Sequence, residues 1–322
     1  MVRVGRTLGL AAAVAFTSLA AQAQDVPSLR GKRIGITVAG TEHYWDLRAY
    51  QGQVDEVKRL GGVPIALDGG RNDSRQIAQI QTLISQKPDA IIEQLGSVPV
   101  LEPWLKKIRA AGIPLFTVDT VSPSSINDTT SDNFRIGEEL ALRMASDLGG
   151  HGNIIVFNGA YNVPVIAIRY DELRLVLKSF PGIHIIQPEL HEVVPNTVQN
   201  AYAQITDMLA KYPNKGQIAA VWQAWDVPQV GATQAIVAAH RSEIRTYGVD
   251  GSPDVVKMVG DPASPAAAVV AQQPSLIGKT AVDNVARYLN GDRSLPPYTF
   301  VPSILVTKEN ALAVSKQLGQ RS

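Results

Sequence analysis

Apolar residues fall along this chain in two alternating rhythms. Short runs dense in Val, Ile and Leu at 33–39, 63–67, 90–95 and 115–118 have the length of buried strands. Between them the apolar positions return every three or four residues. Leu47, Tyr50, Val54, Val57 and Leu60 mark one helix face, closed by Gly61-Gly62. Ile77, Ile80 and Leu83 mark a second, which Asp73 or Ser74 is placed to cap. Leu101, Trp104, Leu105 and Ile108 share a third face, which assigns Trp104 to packing. Strand and helix in strict alternation predict a parallel sheet with helices on both faces.

The rhythm restarts beyond residue 133. Helical periodicity covers 134–148, 165–179, 197–212 and 228–239, and strand-like runs occupy 153–158, 184–186, 219–223 and 246–249. A strand at 267–271, a helix at 276–289, a strand at 301–306 and a helix at 308–317 close the series. Two α/β lobes follow one another with no Gly/Ser linker between them and no residue-level repeat. One stretch stands apart. At residues 112–137 an apolar run stops at Asp119 and gives way to a long loop of Ser, Thr, Asn and Asp before the next helix. TYGVDG repeats the arrangement, with Asp250 at its strand end. Acids at the carboxyl ends of parallel strands sit where open α/β sheets bind ligands.

Composition narrows the classes. Arg3 and Arg6, an apolar core at 8–16 and Ala21-Gln22-Ala23 form a secretory leader over 1–23 rather than an anchor, which would need about 20 apolar residues. The absence of cysteine rules out disulfides, thiolate nucleophiles and lipidation at a mature N-terminal Cys. An exported, unlipidated, soluble protein of a bacterial periplasm is expected. Removing 23 residues from 322 leaves 299, enough for two cores. A net charge of +1 offers nothing to nucleic acid or anionic membrane.

Enzyme motifs are missing: no Gly-x-Ser-x-Gly elbow, no phosphate-binding loop with Lys, no Gly-x-Gly-x-x-Gly after the first strand. His184, Glu189, His191 and Glu192 are grouped, but their spacing across a strand end fits a solvated edge better than a metal site, and no metal or cofactor is expected. Polar and aromatic residues at strand ends remain: Asp119, Asp250, Arg169 and Gln272, with Tyr44, Trp45, Trp222 and Trp225 beside them. Carboxylates and a guanidinium make charge-assisted bonds to vicinal hydroxyls, and aromatic faces pack on sugar C–H surfaces. Each also has a plainer role. Asp119 suits a turn or cap, Arg169 a helix surface, and Trp45 and Trp225 a core.

IGITVAG, the glycines at 52 and 61, AGIPLFTVDT, SDNFRIG, the Arg169 region, GVDGSPD and AQQPSLIG together resemble the sugar-binding branch of the type I periplasmic binding proteins, the ribose-binding-protein-like solute receptors of ABC transporters. The resemblance runs over essentially the whole mature chain. It implies two Rossmann-like lobes with parallel sheets, joined by a three-crossing hinge: 24–131 plus 273–301, and 132–272 plus 302–322. Ligand would lie between them, and residues 131–133 would form the first crossing. Matched residue by residue, Asp119, Arg169, Asp250 and Gln272 fall on sugar-contacting positions, and His43, Trp45, Asn196 and Trp225 on ligand-facing ones. Thr120 stands where the ribose binder has arginine, Asp46 where it has an aromatic residue, and Trp225 where it has asparagine. These departures point away from ribose, toward another monosaccharide or a linear polyol. The implied partners are a membrane permease and, alternatively, a chemoreceptor, with the protein a monomer. A secreted sugar-modifying enzyme is the rival class.

Overall fold

The computed structural model describes residues 26–157, 163–193 and 196–320. No helix among them is long and apolar enough to cross a membrane. The leader at 1–23 lies outside the described residues.

The chain opens with β1 (Arg33–Val38), α1 (Tyr44–Arg59), β2 (Val63–Asp68), α2 (Asp73–Gln86), β3 (Ala90–Gln94), α3 (Val98–Ala110), β4 (Leu115–Val118) and β5 (Asp128–Ser131). It continues through α4 (Asn133–Asp147), β6 (His151–Phe157), α5 (Pro164–Leu177), β7 (Gly182–Ile185), α6 (Thr197–Lys211), β8 (Ala220–Gln223), α7 (Asp226–Ala238), β9 (Arg245–Asp250), α8 (Pro253–Gly260) and β10 (Ala266–Ala271). It ends with α9 (Pro274–Leu289), β11 (Tyr298–Val301), β12 (Ile304–Thr307) and α10 (Ala311–Gln317).

These strands make two six-stranded sheets, ordered β11-β5-β4-β3-β1-β2 and β12-β10-β9-β8-β6-β7. Setting aside β11 and β12, the two orders are the same. Every pairing is parallel except β10 with β12. Helices cover both faces, so the central strands are buried throughout, which is why β3, β4 and β10 carry unbroken buried runs. The chain belongs to the first sheet up to β5, to the second from α4 to β10, returns with α9 and β11, and leaves again with β12. The fold is thus two α/β lobes with three crossings between them, of the type I periplasmic binding protein class.

Four expectations need correction. The strand at 301–306 is two strands in different sheets, because Pro302 interrupts the ladder at a crossing. β5 forms within the polar stretch read as loop; its backbone pairs with β4 and β11, and Thr129 and Asn127 find buried partners in Asn284. Helix α8 matches no expected element; Val255, Val256 and Val259 bury its inner side. The cap of α2 is Asn72, which accepts the Arg75 N–H at 2.9 Å, rather than Asp73 or Ser74. Trp104 packs half-buried against the α2/α3 core, as its spacing predicts, and carries Lys107 over its ring.

Helices α1 and α9 pack closely because glycines face each other across the contact. A Cβ on Gly52 would sit 2.5 Å from the Ser275 carbonyl oxygen, and one on Gly278 would collide with the Ala49 backbone. Backbone cannot yield as a flexible side chain does. Gly52→Ala is therefore expected to destabilise the protein by about 1–3 kcal/mol, the usual range for overpacking, as a lowered midpoint in urea denaturation; an unchanged midpoint would show that the contact is soft.

Candidate functional site

A cavity of about 800 Å³ lies between the lobes, at the carboxyl ends of the strands. It is lined by the segments at and after the ends of β1, β2, β3, β4, β8, β9 and β10, together with the amino-terminal turns of α5 and α6. All eight residues singled out from the sequence line it: His43, Trp45, Asp119, Arg169, Asn196, Trp225, Asp250 and Gln272.

Arg169 is the hub. It projects from α5 and is only 2% exposed, so the surface reading is excluded. Its Nε donates to Asn133 Oδ1 at 2.8 Å, and Nη1 donates to the Ala224 carbonyl at 2.8 Å and to Asp250 Oδ1 at 3.3 Å. Its Nη2 donates to Gln272 Oε1 at 2.9 Å. These bonds use four of the five guanidinium N–H groups and leave one on Nη2 for a further acceptor. The helix comes close enough through Gly137 of α4, where a Cβ would lie 2.8 Å from the Arg169 carbonyl oxygen.

Asp119 and Asp250 hold corresponding places after β4 and at the end of β9. Both adopt positive φ, 54° and 97°, a conformation unfavourable for a residue with a Cβ. Such strain is maintained where a side chain must be aimed. Asp119 Oδ1 is buried without a hydrogen-bond partner, as are Gln272 Nε2 and Trp45 Nε1. An acceptor and two donors on cavity-lining residues are thus unmatched among the described residues. Burial pushes the Asp119 carboxyl up to about 7, Asp128 adding to the rise while the Thr130 hydroxyl and Arg169 oppose it. Burial likewise raises Asp128 to about 6, against the Thr117 hydroxyl and the Thr120 N–H it accepts. Asp250 is also raised, by burial first, with Arg169 working against it.

The tryptophans serve two roles at once. Trp45 belongs to the core of the first lobe and Trp225 to that of the second, where it meets Phe157 edge-on at 6.3 Å, yet both border the cavity. Trp222 is wholly core. Asn196 is exposed at the start of α6 with φ 75°, makes no side-chain cap bond and lines the cavity. Thr120 is fully buried and does not line the cavity, whereas Asp46 does and pairs with Arg71.

His43 precedes α1. Its Nε2 lies 3.4 Å from Asp226 Oδ1 and 3.8 Å from Asp250 Oδ2, and its Nδ1 lies 3.7 Å from Asp46 Oδ1. Burial alone would lower its pKa, but the three carboxylates outweigh burial and raise it well above the ordinary 6.5. Asp226 is the participant that sequence reasoning missed. An acid opening a helix directly after a strand is a usable signal for it. The His184, Glu189, His191 and Glu192 group does not converge on a common point: Glu189 accepts from the Tyr170 hydroxyl, and Glu192 from the Thr197 hydroxyl at 2.7 Å.

Residues 34–293 match the periplasmic binding protein domain family, and the chain belongs to that family. Among solved structures, an ABC sugar transporter subunit from Rhodobacter sphaeroides 2.4.1 is 64% identical, with a TM-score of 0.86, covering 88% of this chain and all of that one (100%). An ABC transporter solute-binding protein from Agrobacterium vitis, solved with bound allitol, is 57% identical with a TM-score of 0.88, covering 90% of this chain and 100% of that one. The ribose import binding protein of Bacillus subtilis is 27% identical, over 81% of this chain and 82% of its own length.

The raised carboxyls have a consequence for stability. In the folded state Asp119 and Asp128 bind protons more tightly than in the unfolded chain, so their ionisation opposes folding. Their contribution is most favourable below the ordinary value of 3.8 and declines as pH rises through about 6 to 7. Asp128→Asn, which keeps an oxygen for the Thr120 N–H, is expected to gain stability relative to the parent at pH 8 compared with pH 5. Urea midpoints at the two pH values check this; an equal offset at both would mean that Asp128 does not titrate in this range.

Proposed function

We propose that this protein is the solute receptor of an ABC importer and captures a monosaccharide or sugar alcohol between its lobes. The carrying observation is the interlobe cavity, bordered by two tryptophans and holding an unmatched buried acceptor, Asp119 Oδ1, and donor, Gln272 Nε2. A ligand rich in hydroxyls supplies both donors and acceptors, and its C–H faces suit indole walls. Membership of a substrate-binding family supports capture without turnover. The allitol held by the Agrobacterium vitis relative makes a linear polyol the favoured ligand class.

In this reading Trp45 and Trp225 pack the two faces of the ligand. Asp119, Asp250, Arg169 and Gln272 bind its hydroxyls, with His43 and Asn196 at the periphery. The moving bodies are 24–131 plus 273–301 and 132–272 plus 302–322. Ligand touches both only when they close, and therefore shifts the open–closed equilibrium by its differential affinity. The closed form then docks on a membrane permease as a monomer. A micromolar dissociation constant needs about −8 kcal/mol, within reach of several charge-assisted bonds in a dry cleft. Burying Asp119 without a matching hydroxyl costs on the order of 1–3 kcal/mol, which supplies stereochemical choice. The leader at 1–23 would deliver the protein to the periplasm.

A thermal-shift screen of allitol, xylitol, ribose and common hexoses tests the assignment. A cognate ligand at 100 times its dissociation constant stabilises by about 2.7 kcal/mol. A linear polyol is expected to raise the melting temperature more than ribose does; no shift with any sugar or polyol at millimolar concentration would overturn the reading. Against the best ligand, Asp119→Ala and Arg169→Ala should each lose about tenfold or more in affinity by calorimetry, from roughly 1.5–3 kcal/mol per charged hydrogen bond. Trp225→Ala should abolish binding and the ligand-induced fluorescence change while remaining folded.

A further inference from the structure

Asp226 and His43 face each other from opposite lobes. Asp226 is the first residue of α7, on the second sheet, and His43 immediately precedes α1, on the first. Asp226 is 1% exposed and does not line the cavity. Its Oδ2 accepts the Ser252 N–H at 2.7 Å, which turns Oδ1 toward His43 Nε2. The other carboxylates around the imidazole each have a cation of their own: Asp250 pairs with Arg169, and Asp46 with Arg71. Asp226 has none but His43 among the described residues. A neutral imidazole would leave a buried carboxylate without a counter-charge, which is costly. The separation of 3.4 Å is longer than the 2.7–2.9 Å of a tight charge-assisted bond but within hydrogen-bonding reach across the cleft.

We propose that Asp226 is a positioning residue, the acceptor of an interlobe latch whose donor is protonated His43, and that the latch couples cleft closure to uptake of a proton. It acts on ligand only through lobe closure, and its bearing on affinity rests on the solute-receptor reading above.

The open and closed forms differ in the partners they give His43. When the lobes part, His43 keeps Asp46, on its own helix, and loses Asp226 and Asp250. The closed form therefore holds the imidazolium proton more tightly than the open one. The raised pKa of His43 in this arrangement agrees. Below the open-state pKa His43 is protonated in both forms and the latch is fully present. As pH rises beyond it, closure must take up a proton, and affinity falls about tenfold per pH unit until the closed-state pKa is passed. Arg71 and Arg169 are the guanidinium partners of Asp46 and Asp250. Asp119, raised to about 7, and Asp250, raised to about 6 in this form, also take up protons on closure and add a slope of their own around those values, which replacing His43 leaves in place.

The cysteine-free chain makes a direct test practical. Dyes placed through Lys58→Cys on α1 and Lys257→Cys on α8, both exposed, report lobe separation by energy transfer in the full-length mature protein without ligand. Transfer is expected to fall as pH rises above the ordinary imidazole value of 6.5. In Asp226→Asn, which retains an acceptor for the Ser252 N–H, the midpoint should move down by a pH unit or more, and in His43→Gln the part of this transition above about pH 7 should vanish. Calorimetry with allitol should show the same alkaline loss in the parent and a flattened profile in both variants. An unmoved midpoint in Asp226→Asn, or a transition above about pH 7 that persists in His43→Gln, overturns the latch. Closure that requires Zn²⁺ and is abolished by EDTA also overturns it, since His43, Asp226 and Asp250 would then be metal ligands. A pH-dependent closure without any allitol binding would leave the latch standing and remove the polyol assignment instead.

Discussion

One buried guanidinium organises the cleft. Arg169 bonds to Asn133 where the chain first enters the second lobe and to Gln272 where it leaves, and also to the ends of β8 and β9. A cation removed from water requires partners with good geometry, and here those partners are the segments the hinge must bring together. The same interaction therefore fixes the backbone at two crossings, orients Asp250 and sets the amide of Gln272. Gly137 permits it by letting α4 approach the backbone of α5. Asp119 faces this assembly from the other lobe with one oxygen unmatched, so the site is half built by each lobe.

Much of this was legible because the physics behind it is local. Parallel strands covered on both faces are apolar throughout, and their helices show a three-to-four spacing, so both lobes can be read from pattern. Asp119 and Asp250 stand out as acids that end apolar runs. β5 was not legible: Asp128-Thr129-Thr130-Ser131 carries no strand signal, and it is a strand because β4 and β11 supply its ladder and Asn284 its polar partner. The split between β11 and β12 rests on Pro302 and on which sheet has a free edge, a property of the whole fold. Asp226 escaped because its importance is relational, arising from a histidine more than 180 positions earlier in the chain.

The acids in the cleft balance opposed demands. A hydroxyl ligand is held best by ionised carboxylates in a dry site, yet dryness favours their protonated forms, as Asp119 shows. Arg169 relieves part of that tension at Asp250. Among the described residues no cation pairs with Asp119, so in the proposed site a ligand hydroxyl would be the partner of its free oxygen.

The interleaving of the chain also governs how the molecule must be assembled. The first sheet needs β11, and α1 is covered by α9, although both partners come from near the carboxyl terminus. The second sheet needs β12, later still. Neither lobe is finished until almost the whole chain has been made. Pairings over such sequence distances close slowly, because loop entropy is lost before contacts compensate for it. A chain wired in this way cannot complete either core before its carboxyl-terminal strands are available, so the two lobes must be finished together rather than one after the other.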